Sequence, residues 1–171
     1  IALLRKIADR EKPYPCGYKP FSAVCSARRS VIVDGVRVIG ERINPTGKKA
    51  MKEALKNGDE GYIVKQALEQ EEAGADILDV NAGLPEIDEK AVLTSLVRLL
   101  QRVTDLPLQI DCTKPDAVES ALRAYHGKAI VNSVNGDESS LSSILPIAAK
   151  YGAAVMVTCA YGQILDQRLL S

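Results

Sequence analysis

Acids and amides recur in this chain directly after apolar stretches, with no solvated spacer between them. Val38-Ile39-Gly40 runs into Glu41, Arg42 and Asn44, while Ala75 to Val80 carries Asp79 and leads to Asn81. Leu106 to Ile110 leads to Asp111, and Ala129 to Val134 contains Asn132 and leads to Asn135. Carboxylate oxygens accept hydrogen bonds, and amides both donate and accept them. Together they suit the edge of a flat heterocycle bearing amino, ring N–H and carbonyl groups. A dinucleotide site asks instead for closely spaced glycines opening onto a helix, a pattern that neither Gly40 nor Gly83 supplies. The chain offers no Ser-His-Asp set and no metal cluster.

Each position also has a reading without a ligand. Asp79 and Asn81 precede Gly83 and Pro85, so local side-chain-to-backbone bonds could shape a turn there. Asp111, followed by Thr113 and Pro115, could belong to the start of a helix, where free N–H groups need acceptors. Asn132 lies inside an apolar run, where an unpaired amide costs about 1 to 3 kcal/mol, so it requires a partner. Asn135-Gly136-Asp137 reads as turn punctuation. His126 before Gly127 fits a helix end, with the glycine as a left-handed cap. Lys48, Lys49, Lys52 and the run Glu69 to Glu72 read as solvated helix faces.

The elements that must position these residues alternate. Helical stripes occur at Ile63-Val64-Ala67-Leu68, Val92-Leu93-Leu96-Val97-Leu100, Val118-Ala121-Leu122-Tyr125 and Leu141-Ile144-Leu145-Ala148. The intervening runs Ala75 to Val80, Leu106 to Ile110, Ala129 to Val134 and Ala153 to Thr158 are apolar mostly without alternation, which implies burial on both faces of a sheet. Val31-Ile32-Val33 and Val36 to Ile39 flank Asp34-Gly35 and predict a two-residue hairpin. Ile1 to Lys12 predicts an amphipathic helix, and 13–30, with Pro13, Pro15, Gly17 and Pro20, predicts a linker. The fold class is therefore α/β with a parallel sheet of about five strands and four helices, either open and doubly wound or closed as a barrel. A complete eight-fold barrel takes roughly 250 residues, so the chain's 171 favour the open sheet on length alone.

Composition excludes several function classes. The 22 basic residues are balanced by 22 acidic ones, which removes the basic footprint expected of nucleic-acid binding. Apolar runs are of strand length, well short of the roughly 20 residues that cross a bilayer, so no membrane is expected and the cytoplasm is the default. Cys16, Cys25, Cys112 and Cys159 lack the close pairing of a zinc site and read as free thiols. The first residue is Ile1, and the chain looks like a piece of something longer.

The words VIGERINPTGKK (38–49), DILDVNAGLP (76–85), LPLQID (106–111) and VNSVNG (131–136) resemble the pterin-binding (folate-binding) domain of the cobalamin-dependent methionine synthase family. They fit the wider superfamily that also holds dihydropteroate synthase and methyltetrahydrofolate-corrinoid methyltransferases. The resemblance implies an incomplete (β/α)8 TIM barrel over 31–171, reversing the argument from length. It further implies that 1–12 is the last helix of an upstream homocysteine-binding domain. By the same resemblance Glu41, Asn44, Asn81, Asp111 and Asn132 bind the pterin of 5-methyltetrahydrofolate, with Asp111 on its N–H edge and Asn132 beside it. The implied reaction moves the N5 methyl group to cob(I)alamin and then to homocysteine, with cobalamin carried by another domain. Zinc would belong to the parent's homocysteine domain and not to this chain. A fragment of this extent is expected to lack catalytic residues from later strands, and no catalytic residue is assigned. Two alternatives stand beside it: a half-barrel that self-associates through exposed edge strands, and a dihydropteroate synthase-like enzyme, which the first word and the linker fit less well.

Overall fold

The computed structural model describes residues 22–158. The helix expected at 1–12, the first part of the linker and the tail 159–171 lie outside the described residues. Two short strands, β1 (Ser22–Cys25) and β2 (Ser30–Val33), precede β3 (Ile39–Ile43). Then follow α1 (Lys49–Asn57), α2 (Glu60–Glu72), β4 (Ile77–Val80), α3 (Glu89–Val103), β5 (Leu108–Asp111) and α4 (Pro115–Ala124). Strand β6 (Ile130–Val134), α5 (Glu138–Tyr151) and β7 (Ala154–Val157) complete the order.

Strands β3 to β7 form one parallel five-stranded sheet in the order β3-β4-β5-β6-β7. An open doubly wound sheet reverses strand order at a switch point, whereas a barrel adds each strand beside the last. The sequential order is that of a barrel wall, and the sheet does not close among the described residues. The helices pack on one face, where Leu78, Val80, Leu108, Ile110, Val131 and Val134 join helix residues such as Leu93, Val97, Val118 and Ile144 in one core. Strand residues alternate in direction, so Ile77, Ile130, Ala154 and Met156 face the other way and meet Val24 and Val31 of β1 and β2.

That β1–β2 pair corrects the predicted hairpin. Strand β2 pairs antiparallel with Ser22–Cys25, inside the segment read as irregular, and not with residues 36–39. The β1–β2 turn is made by Ser26 Oγ, which accepts from the Arg28 and Arg29 N–H groups at 3.2 and 3.0 Å. Asp34 and Gly35 do turn the chain, with Arg37 bound to Asp34 at 2.6 Å and to the Ile32 carbonyl at 2.8 Å. Beyond them, however, the chain enters the parallel sheet, because the Val38 carbonyl takes the Asp76 N–H at 2.8 Å.

The hairpin seals the N-terminal end of the strands. Cys25 exchanges backbone bonds of 3.0 and 2.9 Å with Lys128, just before β6. Buried Tyr125 donates to the Cys25 carbonyl at 3.0 Å and accepts from Leu108 N–H at 3.1 Å. Gly127 has φ 159° and is not the left-handed cap expected of it; an added Cβ there would collide with the Cys25 carbonyl. Close approach of the hairpin is what calls for glycine.

The four predicted helical stripes form α2 to α5, and α1 is an additional helix. Lys49 on it is exposed as read and Lys52 is half-buried, while Met51, Ala54 and Leu55 on the opposite side are buried. Asp59 and Asp88 cap α2 and α3 by accepting from Tyr62 and Ala91 N–H, and Pro115 opens α4. No described helix is long and apolar enough to cross a membrane.

Candidate functional site

The face opposite the helices is layered. Next to the hairpin it is apolar, and one registered row then reads Asp79, Gln109, Ile130, Ala154 across β4, β5, β6 and β7. Two residues further toward the carboxyl ends of the strands, Asp111 stands in register with Asn132. Asn81, just past β4, donates from Nδ2 to Asp111 Oδ2 at 2.8 Å. Its Oδ1 accepts the Gly83 N–H at 2.7 Å. Asn81 thus both shapes its turn and fixes Asp111, so the two readings open from sequence hold at once. Asp111 is half-buried and ends β5 without capping α4, whose N-cap is Lys114. Asn132 is half-buried on the same face, which eases the demand for a buried partner.

Glu41 and Asn44 reach this face from β3, and the glycine before them explains how. The β3–β4 register slips between Gly40 and Ile43. A bulge of this kind leaves a strand N–H without its ladder partner. Gln70 of α2, itself buried, supplies the acceptor: its Oε1 takes the Arg42 N–H at 2.7 Å. A Cβ on Gly40 would stand 2.7 Å from that Oε1, so a side chain there would push the Gln70 amide aside. Beyond the bulge Asn44 is buried and uses both ends of its amide, donating to Glu41 Oε1 at 2.9 Å and accepting from Thr46 N–H at 2.9 Å. Asn44 positions Glu41; Glu41 is exposed. Arg42 turns away to Glu69 of α2 at 3.7 Å. Lys48, read as solvated, donates to the Glu41 carbonyl at 2.6 Å. Asn135 holds Asp137 at 2.7 Å and is a turn residue as read.

Two residues of the lower row were not singled out together from sequence. Asp79 is 1% exposed and Gln109 5%, and Gln109 Nε2 donates to Asp79 Oδ1 at 2.6 Å. The remaining oxygens, Asp79 Oδ2 and Gln109 Oε1, are buried without hydrogen-bond partners. Burial pushes the Asp79 carboxyl up from 3.8 to about 6; the Gln109 amide opposes this, Asp111 and Glu41 add repulsion, and the Asn132 amide opposes weakly. The signal in the sequence was the one used for Asn132, a polar side chain within an apolar strand, and it applies equally to Gln109 in Leu106 to Ile110. Behind Asp111, buried Cys112 donates to Glu89 Oε1 at 3.0 Å, and Glu89 pairs with Lys114 at 2.9 Å. Burial and the Glu89 carboxylate raise the Cys112 thiol to about 12, so it is no nucleophile. Cys25 and Cys112 are free thiols, and no group of three or more His, Cys, Asp or Glu among the described residues could hold a metal ion.

An upper row of one carboxylate and two amides, over a buried acid and an apolar floor, at the carboxyl ends of parallel strands, can grip the polar edge of a flat ring. Residues 40–166 match the pterin binding enzyme family. The chain belongs to that family.

Within the pterin-binding family, the chain is 32% identical over 126 residues to methionine synthase of Mycobacterium tuberculosis, covering 71% of this chain and 11% of that protein. It is 34% identical over 114 residues to methylcorrinoid:tetrahydrofolate methyltransferase of Eubacterium limosum, covering 64% of this chain and 40% of the relative. Among solved structures, dihydropteroate synthase of Thermus thermophilus superposes with a TM-score of 0.56 at 25% identity, over 78% of this chain and 47% of that one. The chain therefore spans less than half the length of each of these relatives.

Proposed function

We propose that this chain binds the pterin ring of 5-methyltetrahydrofolate and presents its N5 methyl group for transfer to a corrinoid. The observation that carries the reading is the Asn81–Asp111–Asn132 row, in which one carboxylate is already oriented by a neighbouring amide. Asp111 would accept adjacent N–H groups of the pterin edge, a two-point contact that fixes the ring's direction better than a single bond. Asn132 would bond the next polar atom along the edge, and Glu41, steadied by Asn44, would close the β3 side. A methylated amine leaves poorly unless its nitrogen is protonated as the bond breaks, so holding the ring where a proton can reach N5 is the chain's share of the reaction.

The methyl acceptor, cob(I)alamin, supplies a strongly nucleophilic metal centre when it is brought to the site. This chain's residues do not fit it as a resident group. The single histidine, His126, lies at the hairpin end of the sheet, where its backbone N–H donates to Gln101 Oε1 at 2.6 Å. A corrinoid would come on a separate domain, and homocysteine, with its zinc, on another. Methyl transfer is preferred over pteroate synthesis because the relatives above 30% identity are methyltransferases, while the synthase likeness stands at 25%.

Calorimetric titration with 5-methyltetrahydrofolate tests the binding. A charge-assisted contact contributes about 1.5 to 3 kcal/mol, so Asp111→Ala is expected to weaken binding by about tenfold or more, and Asn132→Ala by less. Equal affinity of the wild type and both variants would remove these residues from the site.

A further inference from the structure

Among the described residues, the Asp79–Gln109 pair is the one buried polar contact in the sheet left half made. An acid and an amide side by side can form two hydrogen bonds in a ring, amide N–H to carboxyl oxygen and acid O–H to amide oxygen. The first exists here at 2.6 Å, and the two atoms needed for the second are the two oxygens buried without partners. One proton on the carboxyl would satisfy both. As an ionised pair, the same atoms leave two acceptors unmet in the interior, a cost that native structures seldom carry.

We propose that Asp79 and Gln109 are a proton-holding pair, in which a proton on Asp79 Oδ2 is donated to Gln109 Oε1, and that a flat ligand lying on Asp111 and Asn132 increases its occupancy. The second half rests on the pterin reading. The proton comes from bulk water: one O–H bond forms on Asp79 and one negative charge is lost beneath the ligand. The titratable groups facing Asp79 are Glu41 from β3 and Asp111 from β5; β6 contributes the neutral amide of Asn132. A ligand seated on the upper row excludes water from all of these. Desolvation disfavours the charged acid further, so the pair takes up a proton as the ligand binds. Asp79 and Gln109 are positioning residues in this scheme. They lie one side-chain layer below the row and set how much negative charge Asp111 feels from beneath.

Carbon-13 NMR of the side-chain carboxyls in the wild-type 171-residue chain tests both halves without a variant. In the free chain the Asp79 carboxyl is expected to titrate near pH 6. Saturating 5-methyltetrahydrofolate is expected to raise that midpoint, and titrations at pH 7 in buffers of different ionisation enthalpy should show a fraction of a proton taken up per ligand. A free-state midpoint in the ordinary carboxylate range overturns the pair. A midpoint unmoved by bound ligand, with no uptake, overturns the coupling. If no ligand binds, the pterin reading and the coupling both fail, while the free-state titration still judges the pair. Infrared spectra give the second check: the protonated-carboxyl absorbance gained between pH 8 and pH 6, where ordinary carboxylates stay ionised, should be present in the wild type and lost in Asp79→Asn. An equal gain in both proteins assigns the proton elsewhere.

Discussion

Asp79→Asn should make the protein more stable above pH 6 and leave it nearly unchanged at acid pH. An asparagine has the shape of the protonated acid, can donate to Gln109 Oε1 and accept from Gln109 Nε2, and never ionises. The native carboxyl sits at about 6, raised from 3.8 chiefly by burial. For an acid whose folded pKa is raised, the unfolded chain ionises first as pH increases. Stability is then undiminished below about 3.8, falls between there and 6, and carries the full penalty above 6. At 1.36 kcal/mol per pKa unit, that penalty is about 3 kcal/mol, an upper figure because the native site can relax or admit water. Urea unfolding of the two proteins at intervals from pH 4 to pH 8 measures it. The stability difference should be small at the acid end and grow to about 2 to 3 kcal/mol in favour of the variant by pH 8. A difference that does not change with pH, or a variant less stable than wild type at pH 8, would refute the reasoning.

The glycines and the tyrosine that position the site give further outcomes. Gly40→Ala puts a methyl group on Gln70 Oε1 and forces it off the Arg42 N–H; a loss of about 1 to 3 kcal/mol in urea unfolding is expected. Gly127→Ala should unseat the β1–β2 hairpin, since the obstacle is the Cys25 backbone and not a flexible side chain, and limited proteolysis should then cut between Ser26 and Arg29 faster than in the wild type. Tyr125→Phe removes a hydroxyl that serves both Leu108 N–H and the Cys25 carbonyl, with an expected cost of about 1 to 3 kcal/mol. Cys112, buried and raised to about 12, should resist alkylation at pH 8 in the folded chain and react once it is unfolded in urea, as read by peptide mass mapping.

The fold was legible where local pattern and long-range structure agree. Mostly apolar runs marked β4 to β7, and helical stripes marked α2 to α5, because burial on both faces and on one face leave different periods. The hairpin was misread because Asp34-Gly35 is a genuine turn signal, and turn chemistry does not say which sheet the next strand joins. Ser22–Cys25 was hidden by the prolines and arginines around it. The barrel-like order came from the resemblance, since strand order is a long-range property that no local window contains. At the site, Asn81, Asp111 and Asn132 do come together on one face, with Glu41 on the adjoining strand. Asn44 is buried and donates to the Glu41 carboxylate. What the sequence concealed was support: the bulge that leaves Arg42 N–H to Gln70, and the buried Asp79–Gln109 contact, depend on pairings between residues about 30 positions apart.

The central claim is that the polar edge of a pterin lies along Asn81, Asp111 and Asn132. Side-chain amide signals in nitrogen-15 NMR spectra, followed as 5-methyltetrahydrofolate is added, test it directly. The Asn81 and Asn132 amides should shift together and saturate, while Gln66 and Gln101 on the helices stay in place. Shifts confined to the helix glutamines, or none at saturating ligand, would contradict it.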